Sequence, residues 1–263
     1  VILFLAGTSD AKELAKRLKD AGYALLATVV TEHGAEGLEE AGIPVRVGRL
    51  DPLQMAALIR EHGCTAVVDA SHPFAEEASE NAMKASRKAS VPYIRYERPA
   101  GRYGNHPRLK SVLSYREAAE EAARRPGVVL LTTGSKTLQI FTEVLLEKPE
   151  IRLVARMLPR RENLDKCEAL GIKQENIIAM QGPFGEELNR ALYRHYGVTT
   201  VITKESGQAG AVDEKVGSAL DMGLDVILIA RPRLDYDRVF TEMEAVLAEL
   251  GKQERSNHHV TRI

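Results

Sequence analysis

Asp69-Ala-Ser71-His72 opens the stretch DASHPFAEEASENA and places a carboxylate, a hydroxyl and an imidazole within four residues. It follows the apolar run TAVVDA, so the cluster lies at the carboxyl end of an expected strand. Pro73 holds the Ser71-His72 pair in extended backbone. His72 can donate a proton or hydrogen-bond a carboxylate. Asp69 and Ser71 can contact a ligand; a Ser71 that caps the next helix beside a surface His72 would leave the same letters.

A second stretch, AGTSDA, ends the first apolar run of the chain. A turn from strand into helix leaves backbone N–H groups unpaired, and the helix dipole adds partial positive charge there, so a phosphate is well received. Gly7 permits close backbone approach, Thr8 and Ser9 add hydroxyl donors, and Asp10 can cap the helix. The three-glycine dinucleotide fingerprint is absent, because Thr8, Ser9 and Asp10 stand where two more glycines would fall. An ordinary capped turn is the alternative.

Further along, LLTTGSKTL repeats this logic with Thr133, Gly134, Ser135 and Lys136. It lacks the spacing of a Walker A loop, which disfavours ATP hydrolysis. AMQGPFGEELN puts Gln181 after a strand, and ITKESGQAGAVDEK puts Lys204 at a strand end with Ser206 behind it. Lysines so placed bind acids more often than they catalyse. Structural turns, with Lys204 paired to Glu205 or Glu214, are the bland reading.

These loops need a frame, and the patterning supplies one. Strands are expected at 2–6, 24–30, 45–48, 66–70 and 92–96, with helices at 10–20, 34–41, 52–62 and 75–89 between them. Ala75, Ala78, Ala82, Ala85 and Ala89 give the last helix a small face suited to close packing on a sheet. ERPAGRYGNHPRLK then breaks the rhythm with prolines and glycines. Alternation restarts with strands at 128–133, 151–157, 176–180, 199–204 and 226–231, and helices at 114–125, 136–146, 161–170, 186–196, 211–222 and 237–250.

The fold class is therefore α/β: two Rossmann-like lobes, each an open, mostly parallel sheet flanked by helices, with an interlobe cleft. The expected boundaries are a nucleotide-binding lobe at 1–98, a crossover at 99–110, a substrate-binding lobe at 111–252 and a tail at 253–263. Ligands in such sheets bind beyond the carboxyl ends of the strands, where all the loops above lie.

Composition narrows the partners. The 263 residues are 44% hydrophobic and 28% charged, which suits a packed core. Lys plus Arg (36) nearly cancels Asp plus Glu (37), and aromatic content is 5% without tryptophan. Nucleic acid and membrane are thus not expected as partners. No metal-site spacing occurs around Cys64 and Cys167, and no signal pattern precedes the first strand, so a reduced cytoplasmic setting is expected.

Taken together, GTSDAKELA, TEHGAEGL, VRVGRLD, VVDASHPFAEEASENA, VPYIRYERP, LLTTGSKTL, IIAMQGPFGEELN, ITKESGQAGAVDEK and VILIARP resemble the precorrin-6A reductase family of cobalamin biosynthesis. The likeness runs in order from residue 2 to about residue 232. The family pattern usually has two glycines before Thr8; Ala6 takes the first position here, a small change for the turn.

The resemblance implies a two-lobed oxidoreductase that uses NADH or NADPH to reduce one double bond of a carboxylate-bearing tetrapyrrole. It assigns Gly7, Thr8, Ser9, Asp10, Thr31, Glu32, Asp69 and Ser71 to the cofactor. Thr133, Gly134, Ser135, Lys136, Gln181, Lys204 and Ser206 fall to the substrate, and His72 is the first side chain to name as an acid. Glu32 after the second strand favours NADH weakly, since an acidic residue there suits a free ribose hydroxyl, although Arg46 and Arg49 stand near strand three.

No tyrosine has a lysine four residues on, which disfavours the short-chain dehydrogenases. A non-catalytic bilobal binding protein and a tetrapyrrole methyltransferase are the competing classes. The oligomeric state, the proton donor and the presence of cobalt in the macrocycle are not legible.

Overall fold

The computed structural model describes residues 1–99, 105–205 and 213–260. Two compact units emerge, one of residues 1–98 with 232–263 and one of residues 99–231. In the first, β1 (Ile2–Ala6), α1 (Ser9–Asp20), β2 (Leu25–Val29), α2 (Glu32–Glu39), β3 (Val45–Val47), α3 (Pro52–Glu61), β4 (Ala66–Ala70), α4 (Glu76–Ala89) and β5 (Tyr93–Tyr96) alternate as the patterning predicts.

The second unit runs β6 (Leu109–Val112), α5 (Tyr115–Ala122), β7 (Gly127–Leu131), α6 (Leu138–Leu145), β8 (Ile151–Met157), α7 (Arg161–Ala169), β9 (Ile177–Ala179), α8 (Glu186–Tyr196), β10 (Thr200–Lys204), α9 (Glu214–Asp221) and β11 (Asp225–Ile229). The chain then returns to the first unit through β12 (Val239–Phe240) and α10 (Met243–Val260).

Both sheets have six strands, ordered β12-β5-β4-β1-β2-β3 and β6-β11-β10-β7-β8-β9. Every strand pair is parallel. The strands are apolar throughout because both faces are covered. Phe4, Val68 and Ile94 pack on one face of the first sheet with Leu14 and Leu18 of α1. Leu3, Leu5 and Val67 pack on the other with Ala82 and Ala85, as the small face of α4 allows.

The expected domain boundaries need two corrections. β6 straddles the end of the expected crossover; its short, charge-interrupted LKSV is an edge strand with little apolar signal. Residues 232–263 belong to the first unit instead of the second lobe and a tail. Val239 and Phe240 pair with Arg95 and Tyr96, and Val246 and Leu250 lie in the same core as Phe4. α10 continues through the expected tail to Val260.

This assignment is testable by truncation in the core. Leu250→Ala is expected to destabilise the first unit by roughly 2–5 kcal/mol. Hydrogen exchange should quicken in β5 and α1 and stay unchanged in β10 and β11. Loss of protection in the second unit instead would return the C-terminal segment to it.

Candidate active site

In the first sheet β1 and β4 are neighbours, and the chain leaves them in opposite directions, toward β2 from one and toward β5 from the other. Such a switch point opens a crevice at the carboxyl ends of the two strands. The Gly7–Asp10 turn and the Ser71–Ala75 loop border it. A Cβ on Gly7 would stand 2.8 Å from the backbone N of His72 and 3.1 Å from Cα of Ser71. The close approach that requires glycine is therefore an internal one, between the two loops.

Thr8, not Asp10, caps α1: its Oγ1 accepts the N–H of Ala11 at 3.1 Å. The N–H groups of Ser9 and Asp10, in the first turn, have no intrahelical acceptor. The Asp10 carboxylate pairs with Arg98, at the end of the first lobe. That pairing offsets a negative charge that would otherwise repel an anion at the helix start. Thr31 caps α2 by accepting the N–H of Gly34 at 3.3 Å, and Glu32 is exposed at the helix start. Arg49 lies 3.8 Å from Glu77, and Arg46 is exposed on β3.

Asp69 and Ser71 behave differently from expectation. Asp69 has no solvent exposure, and its carboxylate accepts four hydrogen bonds. Oδ1 takes the N–H of Ser71 at 2.9 Å and Nη1 of Arg95 at 3.0 Å. Oδ2 takes the hydroxyls of Ser79 and Tyr93, each at 2.6 Å. Ser71 Oγ accepts from Arg95 as well, at 3.2 Å. Both residues are thus spent on an internal network that pins the loop after β4, and neither is presented to a cofactor.

Burial alone would raise the Asp69 pKa, but Arg95 and the bonds from Ser71, Ser79 and Tyr93 outweigh it and hold the carboxyl below its ordinary value. Burial, then the Asp69 charge, push the Tyr93 hydroxyl far up, so it stays a donor. Tyr236, from the returning segment, lies 5.4 Å from the Arg95 guanidinium and stacks on Tyr93. Sequence reading missed Ser79, Tyr93, Arg95 and Tyr236. The signal was there in VPYIRYERP: an arginine in the middle of an apolar parallel strand must find a buried partner.

His72 is half-buried, and its Nδ1 accepts the backbone N–H of Phe74 at 3.2 Å. That bond ties the ring to the backbone of its own loop.

The second sheet has its own switch point between β7 and β10. Gly134 has a φ of +80°, which a side chain would strain. Thr133 is buried, and its hydroxyl has no hydrogen-bond partner; nor have those of Thr137 and Thr203. Ser135 is engaged with Asn163 at 2.6 Å, and Lys136 is exposed. Lys204 ends β10, its pKa drawn down by burial and then by Lys215 and Lys136. Gln181 is exposed after β9. Ser206 lies outside the described residues. These three lysines are close enough to act on one another, and Lys215 is paired with Asp213 at 3.4 Å. Among the described residues no group of His, Cys, Asp and Glu could hold a metal, and no helix is long and apolar enough to cross a membrane.

The Asp69 network has a signature in stability. Asp69→Asn leaves the buried Arg95 with the more distant Glu97, at 3.6 Å, as its carboxylate partner and is expected to cost about 3–5 kcal/mol in denaturant unfolding at neutral pH. Because the folded carboxyl is held low, its contribution is complete above the ordinary carboxyl pKa of about 4. It is lost as the pH falls below that and on through the lowered folded value. The variant should show a flatter acid limb than the wild type; superimposable limbs would contradict the pairing.

Known proteins complete the picture. Residues 1–251 match the family model described as precorrin-6x reductase CbiJ/CobK. The chain is 54% identical over 256 residues to a cobalt-precorrin-6A reductase of Priestia megaterium, covering 97% of this chain and 100% of that one. It is 40% identical over 232 residues to the cobalt-precorrin-6A reductase of Salmonella typhimurium, covering 88% and 87%. The solved structure of CobK precorrin-6A reductase superposes with a TM-score of 0.77 at 25% identity, covering 96% of both chains. With its two all-parallel six-stranded sheets and a match over nearly its whole length, the chain belongs to the precorrin-6x reductase CbiJ/CobK family.

Proposed function

We infer that this chain is a cobalt-precorrin-6A reductase of cobalamin biosynthesis, an NAD(P)H-dependent oxidoreductase that reduces one double bond of a corrin-like macrocycle. The observation that carries this reading is the 54% identity that spans the full length of a relative so named. The cobalt stays in the macrocycle as part of the substrate.

The cofactor pyrophosphate is assigned to the Gly7–Asp10 turn. The N–H groups of Ser9 and Asp10 and the exposed Ser9 hydroxyl are a donor set that suits phosphate oxygens. Arg98 supports the fit by neutralising Asp10. Glu32, which makes no ion pair among the described residues, is the ribose partner and favours NADH. Asp69 and Ser71 serve this site from behind, by fixing the loop that Gly7 packs against.

When bound, the reduced nicotinamide supplies the hydride for one carbon of the double bond. The second carbon needs a proton. His72, bonded to the Phe74 N–H in the loop after β4, orients the ligand, and the proton comes from His72, from solvent or from a substrate carboxylate. Lys204, Lys136 and the Thr133–Ser135 turn attract the macrocycle carboxylates.

Loss of nicotinamide absorbance with cobalt-precorrin-6A present tests the activity directly; no turnover with either nicotinamide would refute it. NADH is expected to give the higher kcat/KM, and Glu32→Gln to raise the KM for NADH about tenfold with little change for NADPH, a loss in the range of a charged hydrogen bond. A wild type that prefers NADPH would remove Glu32 from the ribose. Lys204→Ala should raise the macrocycle KM by about tenfold or more while the cofactor KM holds. A shift confined to the cofactor would move the nucleotide to the second unit.

A further inference from the structure

Each unit buries one arginine at the carboxyl end of a strand, and the two are not treated alike. Arg95 of β5 is neutralised by Asp69 at 3.0 Å. Arg156, the penultimate residue of β8, is 6% exposed and makes no ion pair with any described carboxylate. Its Nη1 donates to Asn189 Oδ1 at 2.9 Å, and its guanidinium lies 3.9 Å from the centre of the Phe184 ring. Asn189 in turn donates to the carbonyl of Phe184 at 3.0 Å, so plate and anchor are tied together. The acidic group whose field reaches Arg156 is Asp213, and Asp213 is already bonded to Lys215.

Arg95 has two sealed nitrogens without a hydrogen-bond partner, whereas no nitrogen of Arg156 is both sealed and unbonded. Nε and Nη2 of Arg156, which Asn189 does not use, therefore keep some solvent contact. One nitrogen of the guanidinium is held, an aromatic ring lies against the group, and two nitrogens remain unbonded among the described residues and not fully sealed. Burial pulls the Arg156 pKa down, the mark of a cation that lacks full compensation. A buried charge without a partner is costly and is kept where a ligand supplies the counter-charge. A planar fork held over a ring suits a pair of anionic oxygens in one plane. Lys204 adds positive charge in the same unit.

We propose that Arg156, held by Asn189 and Phe184, is a specificity-determining residue that takes a peripheral carboxylate of the macrocycle in a two-pronged ion pair. The assignment rests on the reductase reading above. It gives a role to Phe184 of the GPF turn and to an arginine that the sequence reading passed over. A phosphate of the cofactor presents the same paired oxygens, and the test separates the two sources.

The test measures binding of cobalt-precorrin-6A by visible absorbance titration, binding of NADH and NADPH by fluorescence, and Tm, for the wild type, R156Q and R156K. R156Q is expected to raise the macrocycle Kd about 10- to 100-fold, to leave both cofactor affinities unchanged, and to leave Tm unchanged or higher because an uncompensated charge is gone. R156K is expected to fall between them, since it keeps the charge and loses the fork.

A folded R156Q with wild-type macrocycle affinity overturns the proposal, as does a rise in cofactor Kd alone, which would make the anion a cofactor phosphate. A fall in Tm with loss of both affinities would make Arg156 structural and overturn it too. Should R156Q fail to fold, R156K decides: a macrocycle Kd equal to wild type refutes the fork. A wild type inactive with this macrocycle overturns the reductase reading and this proposal together, whereas an active wild type with an unaffected R156Q overturns this proposal alone.

Discussion

A carboxylate without solvent contact sits at the end of β4, and Arg95 from the neighbouring strand makes that burial tolerable. The first unit's site depends on this pair. Asp69 holds the backbone of Ser71, and Arg95 holds its hydroxyl, so the loop after β4 leaves the sheet along one path. Gly7 fits against that path at a distance no side chain permits. The turn at Gly7 then sets where α1 begins, with Thr8 as its cap. The shape of the crevice between the two loops is thus the consequence of a buried ion pair.

The returning segment shares in this arrangement. β12 extends the sheet at β5, and Tyr236 covers Arg95. The first unit is therefore completed only after the second unit has been made, and its polar centre is sealed by residues more than a hundred positions away in the chain. The second unit shows the opposite economy: orphaned hydroxyls at Thr133 and Thr203, several lysines, and an arginine without a carboxylate. One carboxyl-end face is satisfied from within, and the other keeps polar groups without partners among the described residues.

Elements with a long apolar period were legible in the letters. TAVVDA and the alanine face of α4 fix a strand and its covering helix by period alone. β6 and β12 were not, because LKSV carries a charge in a short edge strand and VF is two residues long. The loops were rightly placed at strand ends, but their side chains divided in ways that period cannot show. Asp69 and Ser71 look like ligand contacts until Arg95 is seen across the sheet. Asp10 looks like a cap until Thr8 is found to do that work and Arg98 to occupy the carboxylate. Partners distant in sequence decide whether a polar residue is spent or offered.

The central claim is that the Gly7–Asp10 turn of the first unit receives the cofactor pyrophosphate. A crystal structure with NAD⁺ bound tests it most directly. The account predicts phosphate oxygens within hydrogen-bond distance of the Ser9 and Asp10 N–H groups, with the adenosine ribose at Glu32. A pyrophosphate seated instead at the Thr133–Lys136 turn of the second unit would contradict it.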